Sequence, residues 1–441
     1  MKRTKEDSRC GNRFVGSVVL IAVLISSCAL AEEATWQFMV TPTSENLTDV
    51  WGTASDDVFA VGRSGIILHY DRDGDNDGSS DNIWEEMDSP TGADLTALWG
   101  SGPDDVYAVG YGPTILRYDG NTWTHFTTIP SGISALHGIW VSSDGEIFAV
   151  GEGPDSRGHI IRWNGSGWSH DVMTGPLDGS TATTEVWGRG PDDVYVSGLN
   201  GYSGGATGLM YHYDGSTWRL FFPDNLGDFD LPKSRGLGGI WGSTGSLFLA
   251  GQSFGSNSSY WHGQILYYDG TAWNERHYLE YYAFGKIWAS SLNDVYVVAW
   301  VDGVILHGGS DLDFSVTADV GSTLSGIWGS GSGDVFVTGS GGTILHLYEP
   351  GPVELVEDLI LLVMIVNEDS GITNSSLEAK LNAALSTLGD LNENNNVAAI
   401  NTLGNFIKAV EGQRDKGGID PDDAQLLIDT AQQIIDLLTN G

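Results

Sequence analysis

The chain has 441 residues, with 20 Lys and Arg against 58 Asp and Glu, a formal net charge of −38 at pH 7. That balance excludes nucleic acid as a partner, because phosphate contacts need clustered cations. The carboxylates are spread among turn segments and read first as solvated surface. The two cysteines, Cys10 and Cys28, both lie near the N-terminus, so the remaining chain has no disulfide and no cysteine-based metal site and must rely on a large apolar core.

Lys2, Arg3, Lys5, Arg9 and Arg13 precede an apolar run from Phe14 to Ile25. A spanning helix needs about 20 apolar residues, so this run has the length of a signal-peptide core and not of a membrane span. Two processing sites overlap after it. Ile25-Ser26-Ser27-Cys28 is lipobox-like and would make Cys28 the lipidated N-terminus, whereas Ala29-Leu30-Ala31 is an ordinary signal-peptidase site. Residues 1–31 are therefore read as an export signal. The mature protein is expected to be secreted or held at the cell surface, with a lipid anchor as its only route to a membrane.

From residue 35 the dominant signal is repetition. Its clearest copy runs Leu95-Thr96-Ala97-Leu98-Trp99-Gly100, then Pro103-Asp104-Asp105-Val106-Tyr107-Ala108-Val109-Gly110, then Thr114-Ile115-Leu116-Arg117-Tyr118-Asp119-Gly120 and Asn121-Thr122-Trp123. The first tryptophan recurs as Trp51, Trp99, Trp140, Trp187, Trp241, Trp288 and Trp328, at spacings of 40 to 54 residues, the range of propeller blades. Each copy reads as four short strands, A to D, with an Asp-Gly hairpin between C and D that predicts a type I′ turn. The seventh copy lacks strand D, and Trp36-Gln37-Phe38-Met39 matches the strand D segment Trp84-Glu85-Glu86-Met87. The expected fold is thus a seven-bladed β-propeller over residues 35–349, closed by an N-terminal strand that removes a free edge.

The first blade expands its hairpin to Asp73-Gly74-Asp75-Asn76-Asp77-Gly78-Ser79-Ser80-Asp81. Oxygen ligands at alternate positions with a glycine at the sixth suit one Ca²⁺, held by Asp73, Asp75, Asp77, Ser79 and Asp81. The twelfth position is Trp84, with Glu85 one residue late, so the match to a full calcium loop fails there. Ca²⁺ is the only cofactor expected. The recurrent pairs Asp56-Asp57, Asp104-Asp105 and Asp192-Asp193 could do acid–base chemistry. Their repetition around a ring argues instead for turns in which Asp bonds backbone N–H groups. The strand C histidines His69, His212, His307 and His346 alternate with Arg117, Arg162 and Tyr267, a tolerance unlike that of a metal ligand.

Of the 16 tryptophans only Trp261 and Trp300 lie outside the repeat pattern. Both are expected in B–C connections of neighbouring blades, with Tyr260 and His262 beside the first. Tyr278, Tyr281 and Tyr282 are expected in the adjoining D–A connection. Aromatic side chains gathered on loops of a rigid scaffold suit sugar or peptide contacts; the alternative is that these loops pack on themselves. No Gly-rich phosphate loop, Gly-x-Ser-x-Gly elbow or His-Glu-x-x-His site is present, so no catalytic residues are assigned.

From Pro352 the period becomes helical, and residues 352–441 predict a small all-α bundle. Ser375-Ser376-Leu377-Glu378 is a capping box opening one helix. Another carries Val397, Ile400, Leu403, Ile407 and Val410, and a last one opens on Asp420-Pro421 with Leu427, Ala431, Ile434, Ile435 and Leu438 inward.

The repeats resemble a bacterial family of secreted propellers built on Trp-Gly and Asp-Asp-Val-Tyr-Ala-Val-Gly, a resemblance that implies fold but no single activity. Ser376-Leu377, Lys380-Leu381, Phe406-Ile407, Val410, Gln413, Lys416 and Leu427-Ile428 resemble the FIMAH domain. That likeness implies an accessory or surface-associated role with no known catalysis; the alternative is a plain helical bundle packed on the propeller. The expectation is a non-enzymatic binding or scaffolding protein for a glycan or a surface or secreted protein. The alternative is a propeller-type polysaccharide-active enzyme. Carboxylates converging on the ring axis would favour the enzyme, and an aromatic platform without them the binding protein.

Overall fold

The structure is a computed structural model. It describes residues 35–71, 84–173, 181–200, 207–221, 234–254, 261–280, 283–301, 303–348, 375–388 and 395–440, with scattered helical positions between 355 and 366. Residues 36–348 and the C-terminal helices form separate compact units. Among the described residues no helix is long and apolar enough to cross a membrane.

Seven four-stranded sheets make up the first unit, six of them consecutive meanders A-B-C-D. In blade 1 these are Leu47–Ala54, Asp57–Gly62, Ile67–Asp71 and Trp84–Glu86. Strand B alternates large and small apolar residues because both faces of each sheet are covered by neighbouring blades. Phe59, Phe148, Phe248 and Phe336, at one position of this strand, are fully buried.

Blade 7 is completed as the repeats predict. Thr35–Phe38 pairs with Ile344–Tyr348, giving the sheet its fourth strand. Met39 N–H donates to Ile344 O at 2.9 Å. Trp36 packs edge-on against Tyr296 of blade 6, centroids 6.1 Å apart, as Trp84 of blade 1 packs on Phe336 of blade 7 at 6.2 Å. Even the methionine match has a use: Met39 Sδ accepts from Trp84 Nε1, and Met87 Sδ from Trp123 Nε1, both at 3.3 Å.

The Trp-Gly dipeptide is an inter-blade joint. A Cβ added to Gly100 would lie 2.6 Å from the Trp51 ring of the preceding blade, and one on Gly52 would lie 2.8 Å from Trp328. Glycine is required there by close approach.

The C–D hairpins differ from expectation. Tyr118 pairs with Trp123, leaving a four-residue loop, and only Gly120 is left-handed, at φ 88°. Asp119 instead accepts from the N–H groups of Asn121 and Thr122 at 3.0 and 2.9 Å. Its side chain does the work that a second left-handed residue would do in a type I′ turn.

The second unit contains helices Ser375–Leu388, Asn395–Arg414 and Pro421–Asn440. Val356, Leu359, Leu381, Leu403, Phe406, Val410, Leu427 and Ile434 are fully buried in one core. Asp420 caps the last helix, accepting from Asp422 N–H at 2.9 Å. Val397, expected inside, is 63% exposed. The buried face of its helix runs Ala399, Leu403, Phe406, Val410, and a residue six before Leu403 is off that stripe.

Candidate functional site

The two ends of the ring are built differently. At one end lie the A–B and C–D turns, at the other the B–C and D–A connections. The first end carries the residues that repeat. The residue that opens strand B, or in blade 3 the one just before it, reaches across to strand C in every blade. Asp57 Oδ1 meets His69 Nε2 at 2.7 Å, Asp105 meets Arg117 at 2.7 Å, and Glu146 meets Arg162 at 2.6 Å. Asp193 meets His212 at 2.7 Å, Asp294 meets His307 at 2.8 Å, and Asp334 meets His346 at 2.5 Å. In blade 5, Tyr267 Oη donates to Ser246 Oγ at 3.5 Å.

Beneath each clasp sits the strand B aromatic ring. Phe59 stacks on His69 at 4.2 Å and Phe336 on His346 at 3.9 Å. Arg117 lies over Tyr107 and Arg162 over Phe148. A hydroxyl four residues before the aspartate adds a second donor: Thr53, Ser101, Ser290 and Ser330 donate to Asp57, Asp105, Asp294 and Asp334. Burial opposes ionisation of Asp57, but His69 and Thr53 outweigh it and hold the carboxyl below its ordinary value. The Asp-Asp pairs are therefore structural, by a route other than the one expected. The second aspartate clasps a neighbouring strand's side chain instead of bonding turn N–H groups.

The opposite end departs from the repeat. Strand A carries a β-bulge in every blade, and the residue two before its tryptophan varies. It is Ala97, Gly138, Gly239 or Gly326 in four blades and Asp49, Glu185 or Lys286 in blades 1, 4 and 6. These three meet across the axis between blades that are not neighbours. Lys286 Nζ bonds Glu185 Oε2 and lies 3.9 Å from Asp49 Oδ1. Asp49 Oδ2 accepts from Leu98 N–H at 3.1 Å. Burial pushes the Asp49 carboxyl up to about 6, against the pull of Lys286. Burial also opposes the charge of Lys286, but Asp49 and Glu185 overcome it and hold the amine above its ordinary value.

Beside this neck stands Trp300, 56% exposed, in the B–C connection that follows strand B of blade 6, Asp294–Ala299. Its N–H donates to Ala283 O at 2.6 Å, and its Cβ lies 3.8 Å from where a Cβ on Gly285 would be. The indole is thereby seated one residue from Lys286. Val301 follows, 44% exposed, and Tyr111 of blade 2 is 48% exposed at the same end.

The other expected aromatic residues fall differently. Trp261 and His262 open strand C of blade 5, Trp261–Tyr268, and pair with Phe254 and Ser253; they are not in a loop. Tyr278 lies in strand D, Trp273–Glu280, opposite Gln264. Blade 5 has longer B, C and D strands than blades 1 and 2, so its sheet extends through the positions expected in a connection. Tyr260, Tyr281 and Tyr282 lie outside the described residues. So do Cys28 and the whole acidic loop of Asp73, Asp75, Asp77, Ser79 and Asp81. Among the described residues no group of three or more His, Cys, Asp and Glu is placed to hold a metal ion. The axial triad escaped the sequence reading because its members lie 136 and 101 residues apart; the only signal was a charge at a position otherwise small.

No family model matches the chain, and no curated protein matches it. Among solved structures, YCF48 bound to D1 peptide is 15% identical, with a TM-score of 0.52, covering 73% of this chain and 99% of that one. YCF48 from Cyanidioschyzon merolae is 15% identical, with a TM-score of 0.51 over 71% of this chain and 99% of that chain. A catalytically inactive virginiamycin B lyase from Staphylococcus aureus with quinupristin is 14% identical, with a TM-score of 0.53 over 72% and 99%. At these identities the likeness is one of fold: the chain is a seven-bladed β-propeller similar to YCF48 and virginiamycin B lyase, followed by C-terminal helices.

Proposed function

We propose that this protein is an extracytoplasmic, non-enzymatic binding or scaffolding protein that holds a glycan or protein ligand against the open end of its propeller. The observation that carries the reading is Trp300, a tryptophan outside the repeat, more than half exposed and seated beside the axis. An exposed indole on a rigid rim supplies contact area at low entropic cost. YCF48 with D1 peptide and the lyase with quinupristin are propellers of this fold with bound ligands, which supports the reading by analogy of fold alone. The signal-like pattern of residues 1–31, with cleavage expected before Cys28 or after Ala31, supports the extracytoplasmic part. A calcium ion at Asp73–Asp81 and a FIMAH-like accessory role for residues 352–441 belong to the same proposal.

A polysaccharide-active enzyme is the second reading, favoured by the convergence of Asp49 and Glu185 on the axis. Lys286 bonds one of these carboxylates and faces the other, so neither is left available as a paired acid and base. The test is a glycan array and a peptide array probed in parallel with wild-type protein and Trp300→Ala. Ligands retained by the wild type and lost by the variant support binding at this face. Equal retention by both, or turnover of an arrayed glycan, would overturn it.

A further inference from the structure

The open end joins exposed apolar surface to an excess of negative charge. The described B–C and D–A connections carry Glu45, Asp88, Asp94 and Asp155 against Arg63 and Arg157. Arg157 is answered locally, its Nε 3.9 Å from Asp155 Oδ2. The adjoining strand ends add Glu152 and Asp319. At the neck one lysine serves two carboxylates, leaving one negative charge in excess. The indole of Trp300 and the side chains of Val301, Tyr111 and Val40 are exposed apolar elements of the same end.

Resting on the binding reading above, we propose that the ligand of this face is a basic peptide segment, with a Lys or Arg side chain laid against Trp300 over the neck. An indole face attracts an ammonium or guanidinium group through its quadrupole. An acidic rim steers such a segment in and sets its register, whereas a neutral sugar gains nothing from that charge. Lys286 is shared between Asp49 and Glu185, so a second cation over the neck would complete its charge balance. Asp49 is faced by Lys286 and Glu185 and by the N–H groups of Leu98 and Val50. A cation arriving there favours the ionised carboxyl, so binding should weaken as the pH falls from 7.5 to 5.

The experiment uses the full mature chain and three probes: a fluorescein-labelled peptide alternating Lys or Arg with apolar residues, its Glu-for-Lys counterpart, and a labelled neutral oligosaccharide. Anisotropy should show saturable binding of the basic peptide alone. Affinity should fall with added salt. Trp300→Ala should weaken it about tenfold or more with unchanged melting. Asp49→Asn should remove the dependence on pH; should that variant not fold, the wild-type pH profile serves in its place. Binding of the acidic peptide as tightly as the basic one, or indifference to Trp300→Ala, overturns the proposal. Trp300-dependent capture of the oligosaccharide alone overturns the basic-peptide proposal and leaves the binding reading standing. Absence of any Trp300-dependent ligand removes both.

Discussion

The two ends of the propeller teach opposite lessons from the same seven repeats. At the clasp end an acceptor opening strand B, a donor on strand C and an aromatic ring beneath them recur in six blades, and in blade 5 as Ser246, Tyr267 and Phe248. Where chemistry recurs that regularly it serves closure, because every blade must bury the same faces against its neighbours. At the open end the equivalent strand A positions hold Asp49, Glu185 and Lys286 in three blades and small residues in four. There the ring departs from its own pattern, and there it places Trp300. Repetition marks architecture, and its interruption marks the candidate site.

The comparison can be broken most severely at the ring's seam. Removing residues 35–39 strips blade 7 of its outer strand, the Trp36–Tyr296 contact and the Met39 acceptor for Trp84. The truncated protein should melt about 10 °C lower or more and aggregate through the exposed edge. Thermal scanning with light scattering checks this, and a truncated chain that melts like the intact one rules out strand-completed closure.

Next comes the neck. Lys286→Met leaves Asp49 and Glu185 buried without their cation, a loss expected to cost about 3–5 kcal/mol. Adding Asp49→Asn should recover part of that loss, since one uncompensated charge is removed. A denaturant titration in which Lys286→Met is neutral would show the triad to be solvated and incidental.

Acidity sharpens the same point. The folded Asp49 carboxyl is raised to about 6 from its ordinary 3.8. The folded state therefore holds this proton more tightly than the unfolded chain, and the group's contribution is most favourable below pH 3.8 and is lost as pH rises through 6. Asp57, Asp105 and Asp193 at the clasp end are lowered and act in the opposite sense, stabilising above 3.8 and losing that contribution as pH falls. Asp49→Asn should gain on the wild type between pH 4 and 7 by about 2–3 kcal/mol, the order set by such a shift. Parallel stability curves for the two proteins would contradict the assignment.

Smaller effects separate the blades. His346→Ala removes a half-buried, stacked clasp to Asp334 and should cost about 1–3 kcal/mol. Tyr267→Phe deletes only the long contact to Ser246 and should stay within about 0.5 kcal/mol. Trp300→Ala should likewise leave stability within about 0.5 kcal/mol while abolishing ligand capture. Equal losses for His346→Ala and Tyr267→Phe would mean that the stacked His346 clasp adds nothing beyond the long hydroxyl contact of blade 5.

The seven copies, the D strand displaced to Trp36–Met39 and the helical period after Pro352 were all legible in the sequence. Each rests on local patterning: alternation along a strand, glycine beside tryptophan, apolar residues at helical spacing. Asp420 as a cap was equally local. What tertiary structure decided is where residues distant in sequence meet. The partner of Asp57 is His69 because strands B and C lie in register. Trp261 belongs to a strand because blade 5 extends its sheet, which no local signal separated from a loop. Asp49, Glu185 and Lys286 form a triad only because ring closure brings blades 1, 4 and 6 to a common axis. Side-chain periodicity encodes which face a residue takes, whereas convergence across an axis depends on the closed ring as a whole.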